Sequence, residues 1–316
     1  MIFDSHMDTP SEILRQRNLA IDNTSGHVDF PKLRRGGVDG SFFAIYTPHE
    51  KADAYGYASR MLDETLRCIE ENHEIAALAT SKQDALHNME EGRFSVFIGM
   101  ENGEPVGCSP ERLEEFYRKG VRYLTLTHNG DNEIADSAVG SDGRWGGLSP
   151  FGREVVKIMN SLGMMVDLSH ASDKTFWDCI ELSKAPVVAT HSCCRAICSH
   201  PRNLTDEMIR AIGEKDGYVG INFYPTFLSD DSSTLPGAKD IADHIDRAVK
   251  LAGLEHVGIG SDYDGIEITP QGMEDVSRIG ILAEELRLRG YSETEINRIM
   301  GGNLLDVLER VANCSL

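Results

Sequence analysis

Short runs of β-branched, aromatic and small apolar residues alternate along the chain with longer stretches whose apolar positions recur at three- and four-residue spacing. The short runs predict eight strands: Ile2–Asp8, Gly40–Tyr46, Ser95–Glu101, Tyr123–His128, Met164–His170, Pro186–His191, Tyr218–Tyr224 and Val257–Asp262. Between them lie helical segments. Ala52–Glu71 carries a stripe of Tyr57, Met61, Leu62 and Leu66. Ser109-Pro110 and Ser149-Pro150 each place a capping serine before a proline suited to the first helical position. Further helices are expected from Thr205-Asp206-Glu207 onward, over Asp240–Ala252 and Met273–Arg289, and near Asn303–Val311, the last packing beneath or beside the strands. Gly36-Gly37 and residues 232–237 read as a turn and a loop.

Strands that alternate with helices form a parallel sheet with right-handed crossovers. Eight such strands close a (β/α)8 TIM barrel. The competing doubly wound sheet would show G-x-G-x-x-G after a strand, and none of these strands is followed by it. At 316 residues with 41% hydrophobic content the chain can fill one large core, and no linker divides it. The expectation is one domain over residues 1–316.

Charge narrows the partners. With 31 basic and 51 acidic residues the formal net charge is −20, which repels nucleic-acid phosphates and anionic lipid. The N-terminus lacks a basic region followed by an apolar stretch, and no run approaches a membrane span. These features place the protein in the cytoplasm, acting on small molecules. The 7 cysteines are odd in number and scattered, so they read as free thiols rather than a disulfide framework. Cys193, Cys194 and Cys198 cluster without the second half of a structural zinc site.

The chemistry lies at the strand ends. His6 with Asp8, Glu101, His128, His170, His191 and Asp262 each close a strand run. In a (β/α)8 barrel such positions face one shared mouth. Residues i and i+2 of a strand point the same way, so His6 and Asp8 enter the mouth while Met7 faces the helices. An imidazole beside a carboxylate suits zinc. Glu101 ends an apolar strand and needs a partner, either a basic side chain or two cations shared between its oxygens. His170 and His191 close successive strands and could share one cation. His128 is a further ligand or a donor to an oxyanion. Asp262 follows a glycine-rich strand and could move a proton near an activated water, or else cap a helix, for which Asp264 is the better candidate.

Taken together these residues resemble the membrane (renal) dipeptidase family of metallopeptidases, within the amidohydrolase superfamily. The matching stretches run in order from residue 3 to residue 305. They include Phe3-Asp4-Ser5-His6-Met7-Asp8, Gly26-His27-Val28-Asp29-Phe30-Pro31, Gly36-Gly37-Val38, Tyr123-Leu124-Thr125-Leu126-Thr127-His128-Asn129 and Val166-Asp167-Leu168-Ser169-His170. They continue with Thr190-His191-Ser192, His200-Pro201-Arg202-Asn203, Asn222-Phe223-Tyr224, Gly258-Ile259-Gly260-Ser261-Asp262-Tyr263-Asp264-Gly265 and Gly301-Gly302-Asn303-Leu304-Leu305.

The resemblance implies a zinc-dependent dipeptidase with two Zn2+ ions. His6 and Asp8 would hold one ion, His170 and His191 the other, and Glu101 would bridge both together with a water. His128 would contact the scissile carbonyl, Asp262 would shuttle the proton, and Arg202 and Tyr224 would hold the substrate's free carboxylate. A guanidinium suits that last task because it pairs with carboxylates bidentately. Without the resemblance Arg202 reads as a surface arginine. The family tends to have glycine after the bridging glutamate, where this chain has Asn102, a residue tolerant of unusual backbone angles. The Gly140–Gly147 part of the loop after Asp131 does not align with the family. A homodimer is the assembly the family suggests. Two other readings share the same residues: an amidohydrolase of lactams, lactones or N-acyl amino acids, and a non-catalytic metal-binding barrel.

Overall fold

The computed structural model describes residues 1–315. Nine parallel strands form its sheet: β1 Phe3–Met7, β2 Gly40–Tyr46, β3 Ala76–Leu78, β4 Phe94–Glu101, β5 Val121–Thr125, β6 Met165–Asp167, β7 Val187–Ala189, β8 Tyr218–Ile221 and β9 Val257–Ile259. Eight run in the order β1-β2-β4-β5-β6-β7-β8-β9, and β3 pairs with β4 off this path. The last strand returns to the first: Asp262 N–H donates to His6 O at 3.0 Å and Asp8 N–H to Tyr263 O at 2.9 Å. This is the expected (β/α)8 barrel, nearly closed, with one extra short strand that its three residues hid from the sequence pattern.

Alternation sorts the side chains. Phe97, Gly99 and Glu101 face inward on β4, while Val96, Ile98 and Met100 pack outward among the helices. The interior is filled from below by Phe3, Phe42, Phe97, Tyr123 and Tyr218. The helix Asn303–Asn313 closes that lower end with Leu304, Leu305, Leu308 and Val311, so it packs beneath the barrel.

Several elements differ from the expected ones. β6 and β7 stop short, and the residues that follow them bend into the mouth as loops. The stretch expected as a helix over Met273–Arg289 is a 3-10 turn at Val276–Arg278, capped by Asp275, followed by the helix Gly280–Leu288. Ser109 sits at the N-cap without a cap bond, since its hydroxyl donates to Glu111. Asp264 caps no helix. Its carboxylate accepts from Arg17, Thr9 and the backbone of His27, tying the β9 loop to the N-terminal segment.

Inward glycines make room where the interior is tightest. A Cβ on Gly260 would lie 1.8 Å from the carbonyl oxygen of Thr190 and 2.7 Å from Ser5 Oγ. Because the first of these is backbone, nothing can swing aside. Gly260→Ala is therefore expected to cost about 3 kcal/mol of stability, read as a lowered urea midpoint with unchanged slope.

Candidate metal centre and substrate cleft

A cavity of about 610 Å³ opens at the C-terminal ends of the strands. Asp8, Glu101, His128, His170, Arg202, Tyr224 and Asp262 all line it, and His6 and His191 sit buried beneath them. Every site residue expected from the sequence is thus brought to one mouth.

Local backbone irregularity aims them. On β1 the register shifts between Asp4 and Met7, so Ser5 and His6 both reach the interior. Asp4 stabilises that bulge by accepting the N–H groups of His6 and Ser261, and its burial pushes its carboxyl up to about 6. His170 and Asp262 stand in left-handed backbone at φ 65° and 64°. Strained positions of this kind persist where the surroundings over-determine them. Asn102 takes φ 79°, the conformation glycine would favour, and its side chain ties Thr47 to Asn132 and Glu104. An asparagine thus makes the left-handed turn after Glu101.

The carboxylate of Glu101 divides its oxygens. Oε2 lies 3.6 Å from His6 Nε2, which in turn is 3.4 Å from Asp8 Oδ2. Oε1 lies 3.1 Å from His170 Nε2 and 3.4 Å from His191 Nε2. The rings of His6 and His191 approach to 3.7 Å between centroids, so the two donor sets adjoin. His128 stands beside the second, its ring 4.3 Å from that of His170 and edge-on to Tyr46.

Each candidate ligand ring is held by its other nitrogen. His6 Nδ1 is 2.8 Å from Tyr123 Oη, His191 Nδ1 is 2.8 Å from Thr190 Oγ1, and His170 Nδ1 is 3.2 Å from Asn129 Oδ1. Such outer partners orient metal-binding imidazoles. They went unassigned in the sequence, although Asp167, buried inside the apolar run Met165–Leu168, signalled that something polar must surround it.

Electrostatics favours a cation. Burial drives His170, His191 and His128 toward the neutral form. Burial also opposes charge on His6, yet Glu101 and Asp8 raise it well above the usual histidine range. Burial and Glu101 push Asp8 up, while Glu101 itself, against its burial, is held well below the usual carboxylate range by His6, His170 and His191. The cluster thus holds a proton where carboxylates crowd an imidazole, and a divalent cation there supplies the same compensation more fully. Two further observations fit a metal. His6 Nε2 is buried without a hydrogen-bond partner. The Nε2 atoms of His170 and His191 face each other at 3.1 Å, an arrangement two lone pairs adopt around a shared ion. Three sets of donors lie within 4.8 Å of one another: His6, Glu101 and His191; Glu101, His128 and His170; His6, Asp8 and Asp262.

Beside His191, Arg202 is buried and forms no ion pair within 4.0 Å among the described residues. It reaches only His191 O at 3.2 Å and Ser192 Oγ at 3.4 Å, and its Nε has no partner. Its guanidinium lies 5.4 Å from the Phe227 ring, which also packs on Tyr224 and His200. A buried guanidinium without a counter-charge, facing a cavity, is a place for an anion. Asp262 is oriented by Asn222, whose amide donates to its Oδ2 at 2.9 Å, leaving Oδ1 toward the donor sets at 3.9 Å from His6 Nε2. Cys193, Cys194 and Cys198 are buried free thiols away from these donors, hydrogen-bonded to the Asn222, His244 and Thr226 carbonyls respectively. No helix among the described residues is long and apolar enough to cross a membrane.

Comparison with known proteins identifies relatives of the chain. Dipeptidase aclJ of Aspergillus oryzae is 37% identical over 297 residues, covering 91% of this chain and 70% of its own. A solved metallopeptidase described as dipeptidase AC superposes with a TM-score of 0.90 at 30% identity, with 98% of each chain covered. A metallopeptidase of Rhodobacter sphaeroides, solved with a phosphinate mimic of the dipeptide L-Ala-D-Ala, gives 0.89 at 30% identity, with 98% of this chain and 99% of that one covered. The family model described as membrane dipeptidase (peptidase family M19) matches residues 1–316. The chain therefore belongs to the membrane dipeptidase family, M19, and is a metallo-dipeptidase, a hydrolase of peptide bonds.

Proposed function

We propose that the enzyme binds two zinc ions and cleaves dipeptides, including those with a C-terminal D-residue, to free amino acids. The observation that carries the two-ion reading is the division of Glu101, one oxygen toward His6 and Asp8, the other toward His170 and His191. Imidazole and carboxylate donors suit Zn2+. When bound, the ions supply Lewis acidity and bring the pKa of a water toward neutrality.

The chain's own groups do the rest. Arg202 pairs with the substrate's terminal carboxylate, and Tyr224 borders the same wall. That fixes one end of the substrate at a set distance from the donors and disfavours longer chains on that side. His128, neutral through burial, donates a hydrogen bond to the carbonyl oxygen as negative charge develops there. Asp262 Oδ1 takes a proton from the attacking water and delivers it to the departing amine nitrogen. Tolerance of a D-residue draws support from the L-Ala-D-Ala mimic bound by the Rhodobacter sphaeroides relative.

The test is amino-acid release from a panel of L-L and L-D dipeptides by zinc-loaded protein, with a chelated control. The expected result is metal-dependent cleavage of both stereochemical series. Chelation is also expected to lower the thermal midpoint, because the ions bind the folded state alone. Protein shown to hold two ions that cleaves no L-D dipeptide overturns the stereochemical part. A stoichiometry of one ion overturns the bridging role of Glu101.

A further inference from the structure

Asp167 is a fully buried carboxylate that the chemistry above leaves unused. It has no ion-pair partner among the described residues, yet four groups donate to it. Thr190 N–H at 2.8 Å and Ser169 N–H at 3.1 Å reach Oδ1. The hydroxyls of Thr125 and Thr190, each at 2.6 Å, reach Oδ2. A carboxylate offers about four acceptor positions and, ionised, no donor. All four are taken, so both hydroxyls must spend their protons on it.

The consequence passes to the neighbouring ring. Thr190 Oγ1 also lies 2.8 Å from His191 Nδ1. A hydroxyl has one proton, and that of Thr190 is committed to Asp167. The bond to the ring is therefore made by His191 Nδ1–H donating to Thr190 Oγ1. The lone pair must then sit on Nε2, which faces Glu101 Oε1 at 3.4 Å. We propose that Asp167 is a positioning residue which, through the Thr190 hydroxyl, fixes His191 in the Nδ1–H tautomer and so presents Nε2 to the cation. The inference rests on the reading of His191 as a cation ligand.

Asparagine at this position reverses the relay. In Asp167→Asn the amide oxygen keeps the two backbone N–H groups, because the opposite flip would set N–H against N–H. The NH2 then faces the two hydroxyls and donates to Thr190 Oγ1. Thr190 is released to donate to His191 Nδ1, and the ring proton moves to Nε2, where the cation should bind. Thr190→Ser retains the hydroxyl and should behave as the parent. Thr190→Val, nearly isosteric, leaves Nδ1 without its acceptor.

The experiment competes the Zn2+-loaded full chain against a chromogenic chelator and, separately, reads the His191 tautomer by 15N NMR of the metal-free, histidine-labelled full chain. Asp167→Asn is expected to weaken one of the two zinc ions by about 10–100-fold, the usual cost of losing an outer partner, and to move the His191 proton to Nε2. Thr190→Val should weaken the same ion, and Thr190→Ser should restore it. A merely structural role would not move the tautomer. If Asp167→Asn fails to fold, the Val and Ser pair at Thr190 carries the test alone. The proposal is overturned if Asp167→Asn and Thr190→Val both hold two ions as tightly as the parent with His191 still protonated at Nδ1. His191→Ala separates the two ideas. Loss of an ion there upholds His191 as ligand whatever the relay does, and retention of both ions overturns the ligand reading and the relay with it.

Discussion

Asp262→Asn is expected to lower kcat for dipeptide hydrolysis by about 10²–10⁴-fold, the range for loss of a general acid–base group, while bound zinc stays at the parent's stoichiometry. The local geometry makes this a clean substitution. Asn222 already donates to Oδ2 of Asp262, so the new amide will turn its oxygen to Asn222 and its NH2 to the position of Oδ1. The side chain keeps its place, and the atom that held the proton becomes a donor that cannot accept one. Metal analysis beside the kinetics decides between two roles. Asp262 shares a donor set with His6 and Asp8, and its Oδ1 lies 3.9 Å from His6 Nε2. Loss of an ion in the variant would move Asp262 into the ligand set. Undiminished turnover would remove it from the mechanism altogether.

The same neighbourhood shows where sequence reading reaches and where it stops. The candidate metal donors were legible because barrel closure converts a one-dimensional regularity, a titratable residue at the end of most of the apolar runs, into a three-dimensional cluster. That inference needs only strand order and the shared direction of strand ends. It does not need the exact strand limits, so the early ends of β6 and β7 did no harm. Alternation alone was less complete. His6 and Asp8 do face inward with Met7 outward, but the phase is set by a bulge that also turns Ser5 inward, and nothing in Asp4-Ser5-His6 announces it.

What the pattern could not show were partnerships between residues distant along the chain. Asp264 looked like a helix cap because local spacing suggests caps. Its actual partners, Arg17 and His27, lie more than 200 residues away in sequence, with separations of 247 and 237. Tyr123 reads as an aromatic strand residue, and only Gly99 on the neighbouring strand gives its ring the space to reach His6. A Cβ at Gly99 would stand 2.0 Å from Tyr123 Cζ. The Asp167–Thr190–His191 relay joins two strand ends 23 residues apart. Each depends on register, which hydrophobic periodicity leaves open.

Arg202→Met is expected to reduce kcat/KM for free-acid dipeptides by about 10²–10³-fold, in line with the 2–5 kcal/mol lost when one member of a buried charge pair is truncated. Most of the loss should appear in KM, because the carboxylate is held in both ground and transition states. The sharper comparison uses dipeptide amides. The guanidinium is buried, makes no direct ion pair among the described residues, and leaves Nε unpartnered there, so an amide terminus offers it little. The parent enzyme should therefore favour free acids strongly, and Arg202→Met should erase that preference by losing activity on the acids alone. Arg202→Lys should recover only part of it, since an ammonium cannot reproduce the two-pronged contact. Equal cleavage of acids and amides by the parent would show that the terminal carboxylate is not what Arg202 holds. The cavity of about 610 Å³ would then suit a substrate without that group, such as a lactam or lactone, with the same donors in place. The pairing of a buried guanidinium with candidate metal donors in one cavity is what argues for the dipeptide. On the proposed reading the guanidinium would recognise the charge at the end of a peptide, while the neighbouring donors act on the bond that precedes its last residue.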